Sequence, residues 1–270
     1  MGEELKEELI HLLREKGAKL VGIADLTEIV SGPLKTGVSV AVPVPKHIVE
    51  SLKTAPTKEY YEAYHSLNEQ LDDIVTTSKR ASGAPPVKLH LKVGEKQRLG
   101  DLLYALMLQS DNDVAVAVAE HIGGSVEHFC EMMTEKAKAI GAEHTSFKTP
   151  NGLDAEGHYA SAYDMALIGA YALKNPEFVK IVTTTNITIP TIPTENSRRH
   201  DLQNKNRFIY AYQGSNGIKT GFTGKAGHCF VGGAVKKDMQ LVAVALGSGW
   251  GNSGKTQKYT DVINMMDYGF

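Results

Sequence analysis

The hydrophobic period of the chain changes near residue 183, and that change restricts the fold more than any other feature. Before it, apolar residues recur at helical spacing. From Leu99 to His121 the texture is helical, broken by the polar knot QSDND. A second helix is expected from Ser125, a good N-cap, to Gly141, and a third from the capping box of Ser161 and Asp164 through about Leu173. Beyond Thr183 the period is two: NITIPTI, NGIKTGFT, HCFVGGAV and MQLVAVAL read as strands, the last pair turning at Lys236, Lys237 and Asp238. A final helix is expected from about Lys255 to Tyr268. Helices gathered ahead of antiparallel strands specify an α+β architecture.

The front of the chain has its own texture. Leu5, Leu9, Leu12 and Leu13 share a helical face that Gly17 stops. Val38, Val40, Val42 and Val44 alternate as a strand, which Pro43 pushes toward a sheet edge. Tyr60, Tyr64, Leu67, Leu71 and Ile74 then step at helical spacing to about Val75. There the texture changes: TTSKRASGAPP reads as a loop and VKLHLKV as a strand.

Composition excludes several function classes. A net charge of -2 on 270 residues shows no basic excess, so a nucleic-acid partner is not expected. The start, MGEELKEELIHLL, lacks the basic and apolar regions of a secretory signal, and no apolar run is long enough to span a bilayer, so the chain as written is expected in the cytoplasm. Cys130 and Cys229 form no CxxC; Cys130 shares a helical stripe with Val126, Phe129, Met133 and Ile140 and reads as a buried hydrophobe. The histidines form no H-E-x-x-H, and Asp111 and Asp113 lack the rest of a calcium loop, so no metal is expected. His121 and His128 read as surface or capping residues.

Gly249 to Thr256, GWGNSGKT, match the phosphate-binding pattern G-x-x-x-x-G-K-[ST]. Such a loop needs a parallel sheet and a later strand carrying a magnesium-binding Asp. Too little chain follows Thr256 for that strand, and the strand before Gly249 reads as a hairpin arm. A Gly-rich turn capping the last helix is the better reading.

Two other motifs fit their surroundings. Ser110-Asp111-Asn112 falls between two helices, and Lys219-Thr220-Gly221 falls on an expected strand. An acyl-peptide ending in a free carboxylate needs a cation and a hydroxyl, which Lys219 and Thr220 supply from an edge strand. Gly221 lets a substrate backbone approach and pair with that strand. Ser110 can relay a proton to a leaving amine, the Asn112 amide can hold a peptide group, and the N–H of Phe222 can join an oxyanion hole. Each motif alone has a plainer reading, a helix N-cap for the first and a surface lysine before a turn for the second.

S-D-N followed by K-T-G is two-thirds of the penicillin-recognising signature. From about Val75 to Phe270 the chain resembles the D-alanyl-D-alanine carboxypeptidases, the low-molecular-weight penicillin-binding proteins of serine peptidase type. The resemblance is carried by VGEKQRLGDLLYALMLQSDNDVAVAVAEHIGGSVEHF, TPNGLDAEGHYASAYDMALIGAYALKNPEF, GIKTGFTGKAGHCFVGGA and the closing DYGF. It implies an antiparallel sheet packed against helices with the site between them, peptidoglycan stem peptides or β-lactams as ligands, and no metal or organic cofactor. That family is exported to the cell envelope. No E-x-x-L-N follows Ser110 before Lys219, which favours a carboxypeptidase over a class A β-lactamase. Arg198, Arg199 and Arg207 are candidates to line the substrate groove.

The departure lies in the third motif. An S-x-x-K places Ser and Lys on one helical face so that the amine activates the hydroxyl. None of the 270 residues forms it; the nearest approaches are Thr76-Thr77-Ser78-Lys79 and Ser51-Leu52-Lys53. Residues 1–75 instead resemble the start of the epoxyqueuosine-reductase-like iron–sulfur proteins, through KLVGIADL, GVSVAVPVPKHIVESLK and PTKEYYEAYHSLNEQLDDIV, without that family's cluster-binding cysteines. The chain therefore reads as two truncated pieces joined near Val75, an N-terminal fragment 1–75 and a penicillin-binding domain 76–270. Three readings stay open: a carboxypeptidase-like protein, a non-catalytic remnant that binds stem peptides or β-lactams, and a truncated product. Loss of a central helix would leave apolar faces uncovered, so marginal stability or association is also expected.

Overall fold

In the computed structural model, residues 70–192 and 198–270 are described in full, and residues 20–25 and 36–43 as backbone strands. Five strands form one antiparallel sheet: β1 (Leu20–Asp25), β2 (Thr36–Pro43), β9 (Met239–Ala245), β8 (Gly227–Lys236) and β7 (Ser215–Thr223), in that spatial order. β2 pairs with both β1 and β9, so the valine strand is interior, not an edge. Pro43 is tolerated because it is the last residue of that strand, where one missing N–H ends the ladder. The helix expected over the leucines of the first turns, Ser51-Leu52-Lys53 and the body of the tyrosine-bearing helix lie outside the described residues; the end expected for the latter does not form, because Leu71 is in a turn and Ile74 and Val75 pair as a strand.

Alternation along β8 and β9 builds two cores from one sheet. Phe230, Ala234, Leu241, Ala243 and Ala245 pack with Val262 and Met266 of α8 (Gly251–Gly269) and with Phe208 of α7 (Phe208–Ala211). Val231, Val242 and Val244 face the other way, with Ile218 of β7, and pack on Ala166 of α5 (Ala162–Ala172). The period of two therefore covers both faces of the sheet. β8 and β9 are joined through Lys237 and Asp238, with Lys237 at φ 55°.

The helical lobe has a third core. Its centre is α3 (Asn112–Gly123), where every residue from Asn112 to Ala119 is buried. A helix that is apolar all round must be surrounded. α1 (Lys79–Ser82), α2 (Leu99–Gln109) and α4 (Val126–Ala139) surround it. Ser125 caps α4 and Ser161 caps α5 through their side chains, as the sequence predicts. Asp164, however, accepts from the Thr145 hydroxyl at 2.7 Å, so its carboxylate ties α5 to the preceding loop. Short ladders pair β3 (Ile74–Thr76) with β4 (Lys96–Arg98), and β5 (Asn186–Pro190) with β6 (Arg199–Gln203). The α6 helix (Pro176–Thr183), capped by Asn175, closes the lobe.

VKLHLKV is not a strand. The Asp113 carboxylate accepts from the N–H groups of Leu89 at 3.0 Å and Leu91 at 2.9 Å, and from its neighbour Val114 at 3.0 Å. A buried side chain thus takes the donors that a ladder would have taken, and alternation alone cannot reveal such a competitor.

The phosphate-loop pattern also resolves. β9, which precedes it, is antiparallel to both its neighbours, and α8 begins at Gly251 rather than Lys255. A Cβ on Gly254 would lie 2.4 Å from the carbonyl carbon of Gly249, so the glycines serve a close backbone crossing at the start of the last helix.

Candidate functional site

Ser110 terminates α2 in the left-handed region, at φ 68° and ψ 41°, and is exposed. The turn reverses the chain at once into α3, so that Asp111 becomes its N-cap and Asn112 its first residue. Ordinary residues avoid this conformation, and a serine held there is pinned by both flanking helices. Asn112 is 6% exposed and commits its amide to the carbonyls of Pro85 at 3.3 Å and Pro86 at 2.9 Å, while its N–H donates to Val87 at 2.8 Å. Its side chain therefore holds the 85–87 segment. The sequence suggested instead a hand for a bound peptide group.

Lys219 lies on β7, the last strand in the sheet order, opposite Val231. Its Nζ donates to the Thr220 carbonyl at 3.2 Å. Part of the residue stays accessible, yet the ammonium is desolvated, and burial pushes it down to about 8, helped by the positive charges of Lys205 and Lys258. Asp111 acts in the opposite direction on Lys219. Asp111 is itself 2% exposed with an unpartnered Oδ2, and burial lifts it to about 6, aided by Asp113 and opposed by Lys205 and Lys219. The S-D-N corner and the K-T-G strand thus lie within each other's electrostatic field.

Lys205, in the segment between β6 and α7, adds the link that no motif flags. Its N–H donates to Leu108 and its Nζ to Gln109 at 3.1 Å, so its charge sits at the C-terminal end of α2, beside Ser110. A cation there is favoured by the helix dipole. QNKNRF carries no pattern that announces this position.

Along β7, Thr220 is half-buried, and a Cβ on Gly221 would meet nothing within 4 Å, so the space over that glycine is open. Phe222 is exposed, its ring 4.4 Å from that of His228. Thr223, the last residue of the strand, donates to Asp154 at 2.8 Å.

Other candidates fall elsewhere. Thr76 and Ser78 line an open cavity of about 400 Å³ with Arg80, Glu120, His121 and Ser125. That cavity lies at the C-terminal end of α3, and twelve residues of helix put it about 18 Å from Asn112. Ser78 caps α1. Arg198 binds Glu95 and the His90 carbonyl, which commits it to the helical lobe. Arg207 offers its N–H to the Tyr259 hydroxyl at 3.2 Å. Both cysteines are free thiols, and Cys130 is buried as its stripe predicts. His121 pairs with Asp73 at 3.2 Å and His128 with Glu131 at 3.3 Å. Among the described residues no group of three or more His, Cys, Asp or Glu is placed to hold a metal, and no helix is long and apolar enough to cross a membrane.

An antiparallel sheet packed against helices is the architecture that this chain shares with solved DD-peptidases. The crystal structure of the Streptomyces K15 DD-transpeptidase superposes with a TM-score of 0.67 at 29% identity, covering 74% of this chain and 79% of that one. The D-alanyl-D-alanine carboxypeptidase DacD of Francisella tularensis, at 20% identity, shares the fold over 93% of this chain and 70% of its own, with a TM-score of 0.68. The family model of the D-alanyl-D-alanine carboxypeptidases, peptidase family S11, matches residues 60–249, and the chain belongs to that family. The D-alanyl-D-alanine carboxypeptidase DacF of Bacillus subtilis is 36% identical over 201 residues, 74% of this chain and 50% of that protein. DacC of Escherichia coli is 34% identical over 66% of this chain and 45% of its own length. The chain spans about half the length of these curated relatives.

Proposed function

We propose that the chain is a D-Ala-D-Ala carboxypeptidase-like protein that recognises the free carboxylate of peptidoglycan stem peptides or of β-lactams. Lys219 carries the reading: a desolvated ammonium on an edge strand, two residues from an open glycine, is poised to pair with a carboxylate and a peptide backbone. Thr220 adds a hydroxyl beside the carboxylate, Gly221 the room for the ligand strand, and Phe222 an N–H and an exposed ring. Ser110, exposed at the end of α2, has a hydroxyl to offer a bound amine.

Binding without turnover is the form of this function that the residues favour. Asn112 is spent on Pro85 and Pro86, and in the 270 residues no Ser is followed by a Lys three positions later. Residues 76–270 form the ligand-handling portion in this reading, with β1 and β2 extending its sheet. Intact mass after incubation with a β-lactam, release of D-Ala from a D-Ala-D-Ala peptide, and calorimetric binding of both ligands test it together. Saturable binding that Lys219→Met abolishes, without adduct or D-Ala, is the expected result. A covalent adduct restores the catalytic reading and locates the nucleophile. Absence of binding overturns the proposal.

A further inference from the structure

The segment 147–159 touches the recognition strand at one hydrogen bond, and the way it is held suggests what that bond does. Its base is closed by Ser146 and Tyr159, which exchange backbone hydrogen bonds of 2.9 and 3.0 Å. Inside, the His158 Nδ1 accepts from the N–H of Lys148 at 3.0 Å and of Thr149 at 3.4 Å, with the ring edge-on to Phe147. At the tip, Asp154 accepts from the Thr223 hydroxyl, and the Thr223 oxygen in turn accepts from the Ala226 N–H at 3.0 Å. That chain of bonds ends in the turn that joins β7 to β8, one residue beyond Phe222. From the other side, the Trp250 indole N–H donates to the Gly224 carbonyl at 2.9 Å, and its ring lies against Gly227.

We propose that His158 is a pH-dependent latch whose neutral ring, through Asp154 and Thr223, positions the outer end of the K-T-G strand for its ligand. The consequence for the ligand rests on the function proposed above; the latch itself does not. An Nδ1 that accepts from two backbone N–H groups carries no proton, which fixes the Nε2–H tautomer. Protonation places a third N–H against those two donors, so both bonds are lost. Asp154 is the charged group that favours the protonated ring, and the Lys148 stem runs past the neighbouring Gly157. Burial outweighs Asp154 and keeps the ring below its ordinary value of 6.5. With the folded value depressed, the latch is complete above 6.5 and is lost as pH falls through the lower folded value. The segment that carries Asp154 then loses the bonds that close it around the ring, and the turn is held from the Trp250 side.

Trp250 is the single tryptophan of the chain, so its emission reports this turn directly. His228, which reaches the Gly251 carbonyl, and Lys255 and Lys258 also face that region, and His228 needs a control. The test is the Trp250 emission of the full chain between pH 8 and 4.5 for the wild type, His158→Asn, Thr223→Val and His228→Gln. The asparagine side chain of the first variant offers an oxygen near the Nδ1 position and does not titrate. The wild type and His228→Gln should show a transition centred below 6.5, while His158→Asn and Thr223→Val lack it. If His158→Asn does not fold, side-chain nitrogen NMR of the wild type replaces it: Nε2–H at pH 7.5, titrating with the Trp250 midpoint, is required. A transition that survives in His158→Asn, disappears in His228→Gln, or has a midpoint different from that of the His158 ring overturns the latch. For a D-Ala-D-Ala peptide, the loss of affinity between pH 7.5 and 5.5 should be at least threefold larger in the wild type than in His158→Asn. Equal losses refute the link to the ligand. A Trp250 transition as described with no ligand binding at any pH refutes the proposed function and leaves the latch intact.

Discussion

Replacing Asp113 with Asn should be among the most damaging single-atom changes available to this fold. The side chain is fully buried, and its two oxygens take three backbone N–H groups, from Leu89, Leu91 and Val114. Asparagine keeps one acceptor oxygen, which can retain Leu89 and Val114. Its NH2 then faces the Leu91 N–H, so one bond to a charged acceptor, worth about 1.5–3 kcal/mol, is lost and a buried donor left unpaired costs about 1–3 kcal/mol more. The sum is roughly 3–5 kcal/mol, which for a domain of this size lowers the melting temperature by about 10 °C. Thermal and urea unfolding of the full chain at pH 7 measures it. Hydrogen exchange should also show Leu91 losing protection while Leu89 keeps it, since only the Leu91 N–H donates to the oxygen that is replaced. A loss below about 1 kcal/mol, or unchanged protection of the Leu91 amide, would refute the assignment of Asp113 as the partner that displaces the expected strand.

Asp111, two residues earlier, should respond with the opposite sign. Its carboxyl is lifted from 3.8 to about 6, so its contribution is full below 3.8 and lost as pH rises through about 6; Asp111→Asn should gain up to about 3 kcal/mol at pH 8 and flatten the stability slope across that window. Urea titrations at pH 4 and pH 8 decide it, and a variant less stable than wild type at pH 8 refutes it. Lys219 sits at about 8 against an ordinary 10.5, so the folded state gains stability between those values as the amine neutralises, while affinity for a carboxylate ligand falls about tenfold per pH unit above 8. Calorimetry from pH 6.5 to 9.5 reads this, and a flat affinity counts against Lys219 as the grip. Gly254→Ala should destabilise by about 1–3 kcal/mol because its Cβ would meet the backbone of Gly249, with no nucleotide binding in either form; a neutral melt refutes the crossing.

Some of this was open to reading from residue order alone. The switch from a period of 3.6 to one of two specified helices before an antiparallel sheet, and the caps at Ser125 and Ser161 stand where their chemistry places them. Such signals are local: a capping hydroxyl reaches the next turn, and alternation reports the two faces of one strand. The antiparallel setting of β9 likewise followed from a hairpin that its own turn residues announce. The errors came where a distant group intervened. VKLHLKV alternates well, but Asp113, more than twenty residues away, takes its donors. Pro43 looked like an edge signal, yet β2 is flanked on both sides because strands from the two ends of the chain meet there.

By itself the sequence determined most of the helices and strands, their class and the two motifs, since each of these is written within a few consecutive residues. Only the tertiary structure decided that Asn112 serves the 85–87 segment, and that Lys205 stands beside Ser110. The same holds for the field that Asp111 and Lys219 share and for the ties that Asp154 and Trp250 make to one turn. Those facts depend on separations through space between residues up to about a hundred positions apart, and charge and burial act over such distances with no trace in neighbouring letters.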